Sequence, residues 1–146
     1  MPTFGADFSG RVVRVIDGDS IEVIRADRAE QVRLNGIDCP ELGQAFGRRA
    51  KQFTSDSAFG KVVTGRVLGR DRYDRTIGEV ILPDGKSLNR ELVSAGLAWW
   101  YRRFAPADHM LEKLELEARE AHRGLWADSN PVPPWERLSR LDAKRG

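Results

Sequence analysis

A mainly β protein, a small closed barrel of five strands carrying three helices, is the fold class this sequence predicts. Three observations lead there. Three apolar, β-branched stretches follow one another between residues 9 and 37, separated by turn residues. Two more lie at 61–68 and 77–82. A segment with helical periodicity is inserted between the third stretch and the fourth.

Val12, Val13, Val15 and Ile16 make the first strand, and Asp17-Gly18 turns the chain. Ile21, Val23 and Ile24 make the second. The polar stretch from Ala26 to Glu30 links it to a third, carrying Val32, Leu34 and Ile37. An antiparallel meander is the simplest pairing. With its second turn centred near Arg28, facing residues have numbers that sum to about 56, which sets Asp19 beside Asp38. Gln44 to Phe59 reads as a helix with Phe46, Ala50 and Phe53 on one face, and Gly60 stops it. Lys61–Leu68 and Ile77–Leu82 are the last two strands, and Pro83-Asp84-Gly85 turns the chain after them. Asn89 is expected to cap a short helix ending before Gly96, with Leu88 and Val93 at the two positions of a hydrophobic staple. Asp108–Arg123 is the clearest helix. Leu111, Leu114, Ala118 and Ala121 are its expected buried stripe, Glu115 and Arg119 an i,i+4 pair, and Gly124 its end. The prolines of Asn130–Trp135 predict an extended tail. The best-known barrel of this size is the OB-fold.

A chain of 146 residues is most simply one domain. Its expected boundaries are an N-terminal extension at 1–9, the barrel domain at 10–127 and a Pro-rich tail at 128–146. The formal net charge is only +2, which argues against a protein that coats nucleic acid by bulk charge. A local basic cluster does run from Lys61 to Arg75. One cysteine excludes an internal disulfide. No apolar run approaches the ~20 residues of a membrane span. The N-terminus has no apolar signal region, so the expected location is cytoplasmic, or secreted or periplasmic if a leader has been removed.

Five residues have the chemistry to break a phosphodiester bond: Asp19, Arg33, Asp38, Glu41 and Arg75. Two carboxylates can hold a hard cation, two arginines can clamp a phosphate, and a further carboxylate can take a proton from water. Alone, Asp17-Gly18-Asp19-Ser20 is a common turn that Asp19 would cap; its other reading makes Asp19 a metal ligand. Asp38-Cys39-Pro40-Glu41 sets two acids around a proline at the end of an apolar strand. An ordinary strand-to-helix loop has the same pattern. Arg33 faces away from Val32 and Leu34, either into solvent or along a curled strand towards a phosphate. Its planar fork can donate to two phosphate oxygens at once, so arginine suits this job better than lysine. Asp71–Arg75 is either a polar hairpin loop or the source of the second clamp, Arg75, with Arg72 and Tyr73 on the substrate's flanks. In Trp99–Phe104, aromatics alternate with arginines in a pattern that suits base stacking, unless the tryptophans are core. Trp126 and Trp135 read as packing residues, and His109 and His122 as surface. The oxygen ligand set alone admits calcium, magnesium or manganese.

In order and without large gaps, these stretches resemble the thermonuclease family, the staphylococcal nuclease-like domains. The resemblance runs from about Gly10 to Trp126 and rests on Val15–Ser20, Val32–Leu34 with Gly36–Glu41, Asp71–Arg75, and Asn89 through Ala98. It implies an OB-fold barrel with three helices, one calcium ion, and hydrolysis of DNA and RNA. It also implies roles. Asp19 and Asp38 would hold calcium through their side chains and Cys39 through its backbone carbonyl. Glu41 would activate water, and Arg33 and Arg75 would bind the scissile phosphate. Arg72, Tyr73 and Tyr101 would hold the neighbouring nucleotide. The sequence departs from the family pattern at Ser20 and Cys39, at Asp74 where a glycine is expected, and at Arg103 where a second tyrosine is expected. Neither a membrane nor an obligate protein partner is implied, and a monomer is the expected state. The alternative is a non-catalytic barrel module that binds nucleic acid or peptide. Such a module has no need of all five residues, and all five are present.

Overall fold

The computed structural model describes residues 7–136. Its elements are β1 (Phe8–Asp17), β2 (Ser20–Arg25), β3 (Arg28–Leu34), β4 (Ile37–Asp38), α1 (Gly47–Ala58), β5 (Val62–Arg70), β6 (Thr76–Ile81), α2 (Leu88–Ser94), β7 (Trp99–Trp100) and α3 (His109–Glu120). A single 3₁₀ turn follows at Gly124–Ala127. Five strands close a barrel in the order β1-β2-β3-β6-β5, with β3 and β6 parallel and the other pairs antiparallel. This is the OB-fold. Val12, Ile21, Val23, Val32, Leu34 and Val80 are all but fully buried within the core, which α1 and α2 help to cover. No helix among the described residues is long and apolar enough to cross a membrane.

The register differs from the one expected. Ala26 (φ 49°) and Asp27 (φ 65°) form a two-residue turn, so Arg25 faces Arg28 and Ser20 faces Arg33. Tight turns with both central residues at positive φ match the twist of the strands they join. Ala29 and Glu30, expected in a loop, are therefore strand residues. Asp19 lies next to Leu34, whose N–H donates to the Asp19 carbonyl (2.9 Å), and strand pairing does not bring it to Asp38. The expected third strand also breaks in two. Gly36 adopts φ +77°, and a Cβ there would press on Ala105 Cβ at 2.9 Å. The chain turns at this point, and Ile37–Asp38 pairs with Trp99–Trp100.

Helix α1 starts at Gly47 and not at Gln44, because Phe46 is left-handed (φ 69°). Its buried face is Ala50, Thr54 and Ala58; Phe46 and Phe53 are only partly buried. Helix α2 is capped by Ser87, whose Oγ accepts from Arg90 N (3.3 Å), so Leu88 and Val93 are not a staple. Asn89, expected as the cap, lies inside the first turn and does another job. Its Oδ1 accepts from Val80 N (3.1 Å), and its Nδ2 donates to Asn35 O (3.0 Å) and Gly78 O (3.2 Å). One buried amide thus ties α2 to β6 and to the end of β3. Asn89→Ala is expected to cost about 3 kcal/mol in urea unfolding, because it orphans a buried N–H and weakens two carbonyls. A loss below about 1 kcal/mol would remove Asn89 from this role.

Helix α3 is capped by Asp108, whose Oδ1 accepts from Leu111 N (3.0 Å). Leu111 and Ala118 are buried as expected, but Ala121 is exposed and Glu115 is buried. Glu115 does pair with Arg119 (2.9 Å), and its other oxygen accepts from Trp100 N (2.7 Å), which braces α3 on β7. Trp99 and Trp100 are core residues. Phe8 and Ser9, from the expected extension, open β1 and pair with β5. Residues 134–136 are helical, contrary to the extended tail expected. Proline is well placed in a first helical turn, where its missing N–H is not needed. The rest of the expected extension, up to residue 6, and of the tail, from residue 137, lies outside the described residues.

Candidate active site

The turn between β1 and β2, the end of β3, and β4 with the loop after it meet at one rim of the barrel. Asp19 is 7 % exposed, and its Oδ2 accepts from Cys39 N (2.7 Å). That bond fastens the loop after β4 onto the β1–β2 turn. Gly18 is needed there, because a Cβ would press on Ala50 Cβ (2.8 Å) and Cys39 Sγ (2.9 Å). Arg33 completes the junction. Its Nη2 is 3.4 Å from Asp19 Oδ2 and 3.2 Å from Asp38 Oδ1, and its Nη1 donates to Leu34 O (2.8 Å). Asp19 and Asp38 therefore do converge, through one guanidinium and one backbone bond.

Asp17, read from the sequence only as a turn residue, joins this cluster. Burial and the negative charge of Asp19 push its carboxyl from 3.8 to about 7, against the opposing pull of Arg33 and Arg75. Asp38 is raised to about 7 by burial and by Asp19, with Glu41 adding a little and Arg33 opposing. The sequence signal that could have flagged the first is its place two residues before Asp19, across the Gly18 turn. The folded Asp17 holds its proton more tightly than the unfolded chain does. Its support of the fold is therefore complete below about pH 4 and is lost as pH rises through about 7. In chelator, Asp17→Asn should gain stability relative to the parent between about pH 4.5 and 7.5, measured by urea unfolding at each. An offset that is the same at both would contradict this.

Among the described residues, no group of three or more His, Cys, Asp and Glu side chains is arranged to hold a metal. The expected set, however, is two carboxylates and a backbone carbonyl. Its surroundings suit a hard cation: Asp17 Oδ1 is buried with no hydrogen-bond partner, and burial, with repulsion from Asp19 added, raises the Asp17 and Asp38 carboxyls to about 7, which a bound cation would relieve. Burial also raises the Cys39 thiol well above its ordinary value, so its sulfur is a poor donor here. The residues present fit an oxygen-coordinated divalent ion.

Beside the acids, a cleft of about 650 Å³ is lined by Arg33, Arg72, Tyr73, Arg75, Tyr101 and Arg103 among others. All five expected phosphate- and nucleotide-binding residues share it. Arg75 Nε donates to Asp71 Oδ2 (2.7 Å). Burial would raise the Asp71 carboxyl, but the N–H groups of Arg75 and Tyr73 and the guanidinium outweigh it and hold it low. Arg72 lies over the Tyr73 ring and donates to its hydroxyl (2.9 Å). Asp74 has φ +62°, the conformation that favours glycine, and its carboxylate turns to Arg70 (3.0 Å) and not to Arg75. The charge that replaces the family's glycine is thus paired locally. A groove of about 580 Å³ lined by Arg25, Arg28, Arg70, Glu30 and Asp74 continues past Tyr73 and Arg75. Across cleft and groove seven arginines meet three acids. The whole chain carries only +2, so the rest of it is net acidic. Glu41 is exposed and close enough to act on the Asp38 carboxyl, but it does not line the arginine cleft.

This rim of paired acids and clustered arginines on an OB-fold is that of a phosphodiester hydrolase. Comparison with known proteins agrees. The family model described as "Staphylococcal nuclease homologue" matches residues 31–128. An uncharacterized endonuclease of Escherichia coli O157:H7 is 46% identical over 134 residues, covering 92% of this chain and 87% of its own. A micrococcal nuclease of Shigella flexneri is 42% identical over 140 residues, covering 90% and 80%. The staphylococcal-like nuclease CAN1 of Arabidopsis thaliana is 38% identical over 106 residues, covering 73% of this chain and 32% of its own. The chain belongs to the staphylococcal nuclease family.

Proposed function

We propose that this protein is a calcium-dependent endonuclease that hydrolyses phosphodiester bonds of DNA and RNA, with one chain supplying the whole site. The observation that carries the reading is the meeting of Asp19, Asp38 and Arg33 within 3.4 Å beside a cleft that also holds Arg75. Asp19 and Asp38, through their carboxylates, and Cys39, through its carbonyl, would hold calcium. When bound, that ion neutralises phosphate charge and helps to orient the attack. Arg33 and Arg75 grip the scissile phosphate and offset the charge that builds on its oxygens. Glu41, directly or through a second water, takes the proton as the attacking oxygen bonds to phosphorus. The P–O ester bond then breaks, the leaving oxygen takes a proton from solvent, Glu41 returns its proton to solvent, and a phosphate monoester and an alcohol leave. Arg72, Tyr73 and Tyr101 hold the adjoining nucleotide.

The test is incubation with plasmid DNA and with a single-stranded RNA. Both are expected to be cut in calcium, spared when a chelator is added, and cut again when calcium is restored in excess. Cutting that ignores the chelator overturns the metal assignment. Binding without cutting in calcium would make the chain a non-catalytic module.

A further inference from the structure

We infer that the segment Val132–Trp135, beyond the residues matched by the family model, braces the active site from behind. Trp135 is a positioning residue for Tyr101, and Gln44 links the same segment to the backbone of Glu41. This rests on the endonuclease reading of the site.

The Trp135 ring stacks on Tyr101, with centroids 4.8 Å apart and planes 14° apart. Its edge meets Trp99 at 5.7 Å, and Trp99 in turn packs on Trp126 at 4.6 Å. Trp99 and Trp126 are buried, so Trp135 is anchored in the core on one side and presents a flat face to Tyr101 on the other. Tyr101 lines the arginine cleft and Trp135 does not. Trp135 therefore supports Tyr101 from outside the cleft and does not occupy the place of a base. A tyrosine held this way has lost its rotamer freedom before the substrate arrives, so a nucleotide that stacks or packs on it meets a smaller entropy cost.

The second link is the Gln44 side chain. Its Nε2 donates to Val132 O (2.9 Å), and its Oε1 accepts from Glu41 N (3.1 Å). One amide thus joins the tail to the residue assigned as the proton acceptor. Pro133 and Pro134, both buried, stiffen the segment between the two contacts. Were the tail only a cover for the Trp99–Trp126 cluster, it would change stability without separating substrate affinity from turnover.

The experiment uses the full chain in calcium and a fluorophore-quencher DNA oligonucleotide, and records kcat, KM and the melting temperature. Trp135→Ala should raise KM about 3- to 10-fold, the scale of one aromatic pair, and leave kcat within about 2-fold. Trp135→Phe, which keeps a flat ring, should recover most of that loss. In a Tyr101→Ala background Trp135→Ala should add nothing to KM, because the residue it positions is gone. Gln44→Ala should act the other way and lower kcat more than it raises KM. If the KM effects of Trp135→Ala and Tyr101→Ala simply multiply, or if Trp135→Ala lowers only the melting temperature, the brace is refuted. A parent protein that does not cut refutes the endonuclease reading; one that cuts while Trp135→Ala is neutral refutes the brace alone.

Discussion

Arg33→Lys is expected to lower kcat/KM on DNA by about 10³-fold or more although it keeps the positive charge. In the structure the guanidinium does three things at once: it reaches Asp19, reaches Asp38 and donates to Leu34 O. A lysine ammonium is a point charge on a flexible stem and cannot hold that planar set while also meeting a phosphate. Arg75→Lys should fall in the same direction, because it loses the Nε bond to Asp71 that orients the fork. The two variants should differ in stability. Arg33 is part-buried between two carboxylates, so its replacement disturbs the acid cluster as well. Arg75 is held by a loop acid, and its replacement should leave melting nearly unchanged. Kinetics and melting on the same preparations check both. Activity within about 10-fold of the parent in either variant would end its assignment as a phosphate clamp.

Glu41→Gln is the second large effect, an expected fall in kcat of about 10²–10⁴ with KM little altered. The amide is nearly the same size and keeps the backbone N–H that donates to Gln44 Oε1 (3.1 Å), so the loop should keep its form. What it loses is the ability to take a proton. It also removes a negative charge that raises the Asp38 carboxyl. Metal affinity should therefore be measured beside the rate by calcium titration, so that weaker loading is not read as slower chemistry. A fall in kcat that excess calcium fully reverses would make Glu41 part of the ion's surroundings and not the base.

Much of the barrel was legible because its strands announce themselves locally. Val12, Ile21, Val23 and Val32, named in the expected strands, are buried, while Val13 and Ile24 from the same strands face outward. What failed were the joints. The pairing of β2 with β3 was misjudged because Ala26 and Asp27 turn the chain in two residues, and nothing in a polar run from Ala26 to Glu30 says how many of its members are strand. Asn89 has the composition of a helix cap, yet its amide is used by β6 and by Asn35, just past the end of β3. Glu115 forms the i,i+4 pair the sequence predicts, but its second oxygen also accepts from Trp100 N, a contact the helix sequence does not announce. The hairpin turns on two backbone conformations that residue type does not announce, whereas Asn89 and Glu115 meet partners on other elements, up to 54 residues away for Asn35.

The site divides the same way. Which acids and arginines this chain carries, in what order, and hence which chemistry it can attempt, its sequence determined alone, because residue type sets charge and hydrogen-bonding capacity. That Arg33 clasps Asp19 and Asp38 together, that Asp17 joins them with a buried unpartnered oxygen, and that Trp135 lies flat on Tyr101 were decided only by the tertiary structure. A side chain's charge belongs to the residue, but its neighbours are chosen by strand register, by turns such as the one at Gly36, and by where a distant segment comes to rest.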